Sequence, residues 1–192
     1  MTNETLISIS TAVLKAALIC ASTDQHRPYI NGVYIDPKGY VVSTDGHRLF
    51  CAAINVAGLP AFEGWTIPSD VVKRAVTGNK FVNITVTPTQ CGDIAYAPVD
   101  VPYPDWRRVL PAAELSGEVA QFNLKYVADM GKIMDLLVGK TSLSAHMHHN
   151  GESAAGVTFP ACPSAFAILM PIRSEHTAPD TAWSDAIATA TA

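Results

Sequence analysis

The chain lacks most of the features by which a sequence announces its chemistry. Across 192 residues no apolar run approaches the ~20 that cross a bilayer. The polar start Met1-Thr2-Asn3-Glu4-Thr5 carries no basic flank of a secretory leader, so a cytoplasmic location without membrane attachment is expected. Cysteines are few, and Cys20, Cys51, Cys91 and Cys162 form no Cys-x-x-Cys pair. That argues against a zinc ribbon or a dithiol redox centre and for reduced, mostly buried thiols. No Gly-x-Ser-x-Gly elbow, P-loop or dinucleotide-binding glycine pattern occurs. Ser43, Asp45 and His47 lie close together, but the Asp45-Gly46 pair reads as turn chemistry, so no enzyme and no cofactor are expected. His146 and His148 alternate onto one face of a strand with no nearby carboxylate, and with His149 they read as a solvated strand, not a metal site.

Positive charge is also in short supply. The formal net charge is -4, which does not advertise a nucleic-acid binder. The helical segments assigned below carry a small basic excess through Lys15, Lys73, Arg74, Lys125 and Lys132, so the acidic surplus lies elsewhere. Ordinary solvated helix faces show such a bias as well. What the chain does have is apolar content: 48% of residues are hydrophobic, enough for a sizeable core in one or two domains.

That content is organised three times over as a strand, an amphipathic helix and further strands, which predicts an α+β fold. The first segment runs from Leu6-Ile7-Ser8-Ile9 into a helix capped by Ser10 or Thr11, with Val13, Leu14, Ala17, Leu18 and Ala21 at helical spacing. Strands are expected at 29–36, 40–43 and 48–54, with Asn31-Gly32 inside a strand instead of at a hairpin turn. The second segment opens at Trp65-Thr66-Ile67-Pro68, with Ser69 capping a short helix that buries Val71, Val72, Ala75 and Val76 and stops at Gly78. Val82, Ile84 and Val86 then alternate with polar residues, and residues 88–93 turn the chain into Ile94-Ala95-Tyr96-Ala97. The third starts at Gln121-Phe122, and Asn123 caps the longest helix, whose apolar face is Leu124, Val127, Met130, Met134 and Leu137. Strands are expected at 142–148, 156–159 and 166–173, and the tail from Ser174 to Ala192 is expected to be mobile.

Three strings carry a resemblance: Ser43-Thr44-Asp45-Gly46-His47-Arg48-Leu49, Tyr103-Pro104-Asp105-Trp106-Arg107-Arg108-Val109-Leu110-Pro111, and Ile168-Leu169-Met170-Pro171-Ile172-Arg173. Together, and in this order, they resemble the bacterial DNA polymerase III beta subunit, the sliding clamp family, in a shortened form. The resemblance implies the DNA clamp fold, repeated β-α-β-β-β units with helices on one side of antiparallel sheets. It divides the chain into a complete two-unit domain at 1–111, a half-domain unit at 118–173 and the tail. It further implies a processivity factor that captures a short linear motif of polymerases and clamp-loader-type proteins in an apolar cleft. The cleft residues it implies are Ile30, Thr44, Gly46, His47, Arg48 and Leu49 from the first string and its surroundings, Pro104, Arg108 and Val109 from the second, and Ile168, Met170, Pro171, Ile172 and Arg173 from the third. A charge at Leu49 or Met170 is expected to abolish peptide binding and spare the fold.

Double-stranded DNA, held without regard to sequence, is the second partner the resemblance implies. Arg27, Tyr29, Lys73, Arg74 and Lys125 are the candidate contacts, although Pro28 and Ser69-Asp70 depart from the family pattern beside them. Rings in the wider clamp family close with twelve units, so three per chain imply a homo-oligomer, a dimer or a tetramer. The alternative reading is a module that occupies clamp-binding motifs without encircling DNA, as a competitor or adaptor.

Overall fold

The first two α-helices each begin where a strand ends, at a residue that can turn the chain. In the computed structural model, which describes residues 5–59, 61–78, 82–111, 114–139 and 144–173, β1 (Ile7–Ser10) runs directly into α1 (Thr11–Cys20). The Ser10 hydroxyl accepts a hydrogen bond from the Ala12 N–H at 3.2 Å, satisfying one of the free donors of the first turn. α1 buries Ala12, Leu14, Ala16, Ala17 and Cys20, so small residues let it pack closely, while the expected Val13 and Leu18 are only half-buried. The next element differs from expectation. Pro28–Ile30 forms a short 3₁₀ turn, and the strand β2 begins only at Gly32 and ends at Asp36. Pro28 explains the difference, since its fixed φ and missing N–H suit the first position of a helical turn. Gly32 is needed for a separate reason: a Cβ there would lie 2.6 Å from the carbonyl oxygen of Ile67.

The chain continues through β3 (Tyr40–Thr44) and β4 (Arg48–Ala53), then β5 (Trp65–Pro68) and α2 (Ser69–Ala75). Ser69 does not cap α2 as expected; Pro68 holds the cap position, and the Ser69 hydroxyl is buried without a partner. β6 (Asn83–Val86), β7 (Gln90–Cys91) and β8 (Ile94–Ala95) complete the second unit, so the expected turn at 88–93 contains a short strand of its own. In the third unit the Asn123 side chain caps α3 (Leu124–Val138) by accepting from the Lys125 N–H at 3.0 Å. The buried face of α3 is Asp129, Met130, Ile133 and Met134; Leu124, expected on it, is 82% exposed, because Ile133 continues the stripe and Leu124 projects from the first turn. β9 (His146–His148), β10 (Ala155–Thr158) and β11 (Ala165–Leu169) follow. Residues 121–122, expected to open a strand, belong to neither sheet. The tail 174–192 and parts of the expected strand at 142–148 lie outside the described residues.

All described pairings are antiparallel, in a four-stranded sheet of order β1-β6-β7-β8 and a seven-stranded sheet of order β5-β2-β3-β4-β11-β10-β9. The main core lies between these sheets and the three helices, around Leu14, Phe50, Ile67, Val72, Ile133 and Phe159. A second, smaller core of Val42, Leu49, Cys51, Trp106 and Ile168 covers part of the other face of the large sheet. Alternation along β4 explains the division, since Phe50 and Ala52 face the helices while Leu49 and Cys51 face away. Among the described residues no helix is long and apolar enough to cross a membrane.

Candidate peptide-binding cleft

The smaller core is where the three strings meet. The first string makes the β3–β4 turn, and its shape is fixed by its own polar side chains. Asp45 Oδ1 accepts from the N–H groups of His47 at 2.9 Å and Arg48 at 3.0 Å. The Thr44 hydroxyl donates to the Arg48 carbonyl at 2.8 Å and accepts from the Gly46 N–H at 3.1 Å. Gly46 sits at φ +93, a conformation that costs a residue with a Cβ strain. Hydrogen bonds of this kind leave the turn one geometry, so Leu49 enters the sheet with its side chain toward the outer face.

The second string lies across that face without joining either sheet. Its anchor is Asp36, at the end of β2. Asp36 Oδ2 accepts from Trp106 Nε1 at 2.9 Å and Arg107 Nη1 at 2.7 Å, while Oδ1 accepts from Arg107 Nη2 at 3.1 Å and the Lys38 N–H at 2.8 Å. Burial pushes this carboxyl up, but the Arg107 and Trp106 hydrogen bonds outweigh it and hold the group below the usual carboxylate range. Tyr103 stacks on Tyr34 with ring centroids 4.5 Å apart, and Trp106 meets Tyr40 edge-on at 5.7 Å. Asp105 caps the 3₁₀ turn Trp106–Val109, which presents Val109, 41% exposed, beside the sheet.

The third string is brought alongside by β11, which pairs with β4 so that Ile168 stands opposite Leu49. Beyond the ladder the Met170 N–H donates to the His47 carbonyl at 2.8 Å. On the helix side of this junction Arg48 bridges two units. Its Nε donates to Asp45 Oδ2 at 2.9 Å, its Nη1 to Asp129 Oδ2, and its guanidinium carbon lies 4.7 Å from the centre of the Tyr126 ring. Asp129 also accepts from Lys132 Nζ at 2.6 Å. Burial raises the Asp129 carboxyl, yet the two cations lower it further, so it stays ionised well below neutral pH.

Between these walls is an open cleft of about 240 Å³. The structure brings Ile30, Thr44, Gly46, Arg48, Leu49, Pro104, Val109, Ile168 and Met170 of the implied set to its lining. His47, Arg108, Pro171, Ile172 and Arg173 do not line it: His47 stacks on Tyr126 at 6.0 Å, and residues 171–173 border a separate, more polar cavity. Four further residues complete the lining, namely Asp105, Trp106, Arg27 and Tyr29. Trp106 was legible as the large aromatic of the second string, whereas nothing local in the sequence points Arg27 and Tyr29 at this cleft. Lys73 and Arg74 are exposed on α2 and Lys125 on the first turn of α3, and none of the three lines the cleft. A charge at Leu49 is not the mild change expected, because the side chain is 2% exposed and packs in the second core; Met170, at 36%, is accessible.

Among the described residues no group of three or more His, Cys, Asp or Glu is placed to hold a metal ion. Cys20, Cys51 and Cys91 are buried free thiols, and burial pushes Cys51 up to about 12 and Cys91 to about 11, so they stay protonated and poorly nucleophilic.

No family model matches the sequence, and no curated protein matches it. Solved structures do match in fold. The Caulobacter crescentus beta sliding clamp, with polyethylene glycol bound to its putative beta-motif tethering region, aligns at a TM-score of 0.64 and 19% identity over 91% of this chain and 67% of that one. The DNA polymerase III beta subunit of Borrelia burgdorferi, in complex with a natural product, gives 0.67 and 15% over 91% and 66%. That of Thermotoga maritima gives 0.65 and 15% over 91% and 67%. The fold is therefore that of the sliding clamps, and the chain spans about two thirds of their length.

Proposed function

We propose that the protein is a shortened sliding-clamp-like processivity factor, whose first two units form one clamp domain (1–111) and whose third unit is a half-domain (118–173). It is a tether, not an enzyme. The observation that carries the reading is the cleft: three strings far apart in sequence converge on one apolar opening, within a fold shared with sliding clamps. Leu49, Val109, Ile168 and Met170 offer walls for one or two large apolar side chains of an extended peptide, and Met170 adapts to their shape. Polymerases and clamp-loader-type proteins carrying a short linear motif are the partners that this chemistry suits. Double-stranded DNA would be held electrostatically by Lys73, Arg74 and Lys125, without sequence preference.

Calorimetry tests the cleft directly. A peptide with a Gln-x-x-Leu-Phe-like motif is expected to bind with micromolar affinity, roughly 8 kcal/mol. Met170→Glu is expected to weaken it more than tenfold with little effect on thermal stability. Absence of binding by the unmutated protein removes the reading. A non-encircling competitor or adaptor of the replication machinery is the second reading, favoured by the position of Arg27 and Tyr29 on the cleft. Failure to be retained on circular DNA, with peptide binding intact, selects it.

A further inference from the structure

Residues 170–173, the last that the structure describes, leave the large sheet between two openings. Met170 stands on the wall of the cleft, and Arg173 borders the larger, more polar cavity of about 530 Å³. The Ile172 N–H donates to the Gln121 carbonyl at 2.8 Å, which fixes the direction of exit. Three residues of chain span at most about 11 Å, so whatever follows Arg173 starts close to the cleft. The cleft itself leaves apolar surface uncovered, with Val109 41% and Met170 36% exposed.

The sequence that follows, 174–192, holds two large apolar side chains, Trp183 and Ile187, among small and acidic residues, with neither lysine nor arginine. An indole carries a large apolar surface, and Ile187 alone is too little to cover it. Charge distinguishes the two openings within reach. The polar cavity presents Glu118 and Glu152 against Arg173, an excess of carboxylate that repels Glu175, Asp180 and Asp185. At the cleft, Arg27 and Arg48 already pair with aspartates and Asp105 caps the 3₁₀ turn. Arg108, on that same turn beside Val109, is exposed and makes no ion pair among the described residues. The cavity therefore opposes an acidic segment, whereas the cleft offers it an apolar wall and a guanidinium.

We propose that residues 174–192 fold back so that Trp183 seats in the cleft against Met170 and Val109, and that the chain thereby carries its own competitor for the partner peptide. Length permits it: the ten residues from Arg173 to Trp183 reach up to about 35 Å, several times the span back to Met170. Ile187, four residues on, supplies the second apolar side chain that such a groove takes, and Met170 adapts to the pair. Asp180 and Asp185 stand on either side of the indole in sequence, which puts a carboxylate within reach of Arg108. This regulation rests on the reading of the cleft as a peptide site. Tethering makes the contact intramolecular, at an effective concentration on the order of millimolar, so even a weak intrinsic affinity fills the cleft for part of the time. An incoming peptide is then held back by the fraction of molecules whose cleft is open, and a micromolar ligand still displaces the tail.

Two measurements on the full chain test this, each made on the unmutated protein, on Trp183→Ala, and on the charge reversal Asp180→Lys with Asp185→Lys. The first is the methyl resonance of Met170 in protein labelled with ¹³C at its methionine methyls, assigned through Met170→Leu. An indole in the cleft displaces that resonance by its ring current, and Trp183→Ala is expected to move it. The second is calorimetry with the Gln-x-x-Leu-Phe-like peptide, whose affinity is expected to rise about threefold or more in Trp183→Ala and about twofold in the charge reversal. The substituted positions lie outside the described fold, so circular dichroism is expected to be unchanged. A Met170 resonance that Trp183→Ala leaves in place, or a measurable peptide affinity that is equal in the unmutated protein and Trp183→Ala, overturns the proposal and spares the functional reading. Peptide binding by none of the three proteins ends the functional reading instead, and the Met170 resonance then decides alone whether the tail occupies the cleft.

Discussion

Two long-range segments close on the first unit, and each is held by one buried aspartate, but in different company. Asp129 joins the third unit to Arg48 on the helix side of the sheet, where the β4–β11 ladder of five residue pairs already joins the same two units. Asp36 holds the string Tyr103–Val109 on the outer side, where no ladder helps; its oxygens accept from Trp106, Arg107 and the Lys38 N–H. One carboxylate therefore reinforces a junction, and the other substitutes for one. The cleft has a wall of each kind, a rigid one from paired strands and a latched one from the string.

Removing the latch is expected to have the largest effect. Asp36→Asn leaves Arg107 with half its partner and an amide N–H₂ facing donors, at a cost of about 3 kcal/mol. Because Trp106 and Val109 move with the string, peptide affinity is expected to fall as well, and tryptophan fluorescence to shift. Asp129→Asn should cost less, about 2 kcal/mol, and leave fluorescence and peptide affinity near their original values. Denaturant titration of both variants, with calorimetry, checks the ranking. Equal loss of peptide binding in the two would end the distinction between the walls.

Acid is the next handle, acting on both aspartates together. Each carboxyl is held below its usual value of 3.8 in the folded protein. A depressed carboxylate stabilises the fold above its unfolded value, and that contribution is lost as pH falls through the folded one. Unfolding free energy is thus expected to be steady from neutrality to about pH 5 and to drop below about pH 4. The double variant Asp36→Asn with Asp129→Asn should show a shallower drop. Stability that rises on acidification through this window would contradict the assignment.

The sequence made some of this readable and hid the rest for identifiable reasons. Helical periodicity and Ser10 or Asn123 capping locate α1 and α3, since both signals are local. The 3₁₀ turn at Pro28–Ile30 was masked by the apolar residues around it, although Pro28 is itself a start signal. Motif strings placed most of the cleft, because a turn such as Asp45-Gly46 fixes where its neighbours enter a strand. What they could not supply is pairing between distant elements. Nothing near Asp36 in sequence shows that Trp106 will lie on it, and nothing near β4 shows that β11 will pair with it.

The smallest expected effect concerns Arg27, and it sharpens the comparison by asking which surface that residue serves. Resemblance groups it with Lys73, Arg74 and Lys125 as a DNA contact, whereas the structure places it on the cleft, its Nη1 only 3.2 Å from where a Cβ on Gly46 would stand. Its charge is already half committed, since Nε pairs with Asp24 at 2.9 Å and the side chain is 41% exposed. Screened, paired charges at a surface contribute little, so Arg27→Ala should change peptide affinity only two- to threefold, and more for a peptide with an acidic flank than for a neutral one. Retention on DNA should be unaltered. Neutralising Lys73, Arg74 and Lys125 together should instead flatten the salt dependence of DNA retention by about 2 to 3 in the log–log slope and leave peptide binding alone. The reverse pattern, with Arg27→Ala weakening DNA retention and sparing the peptide, would return Arg27 to the DNA-facing set and leave the cleft without a basic rim at that end.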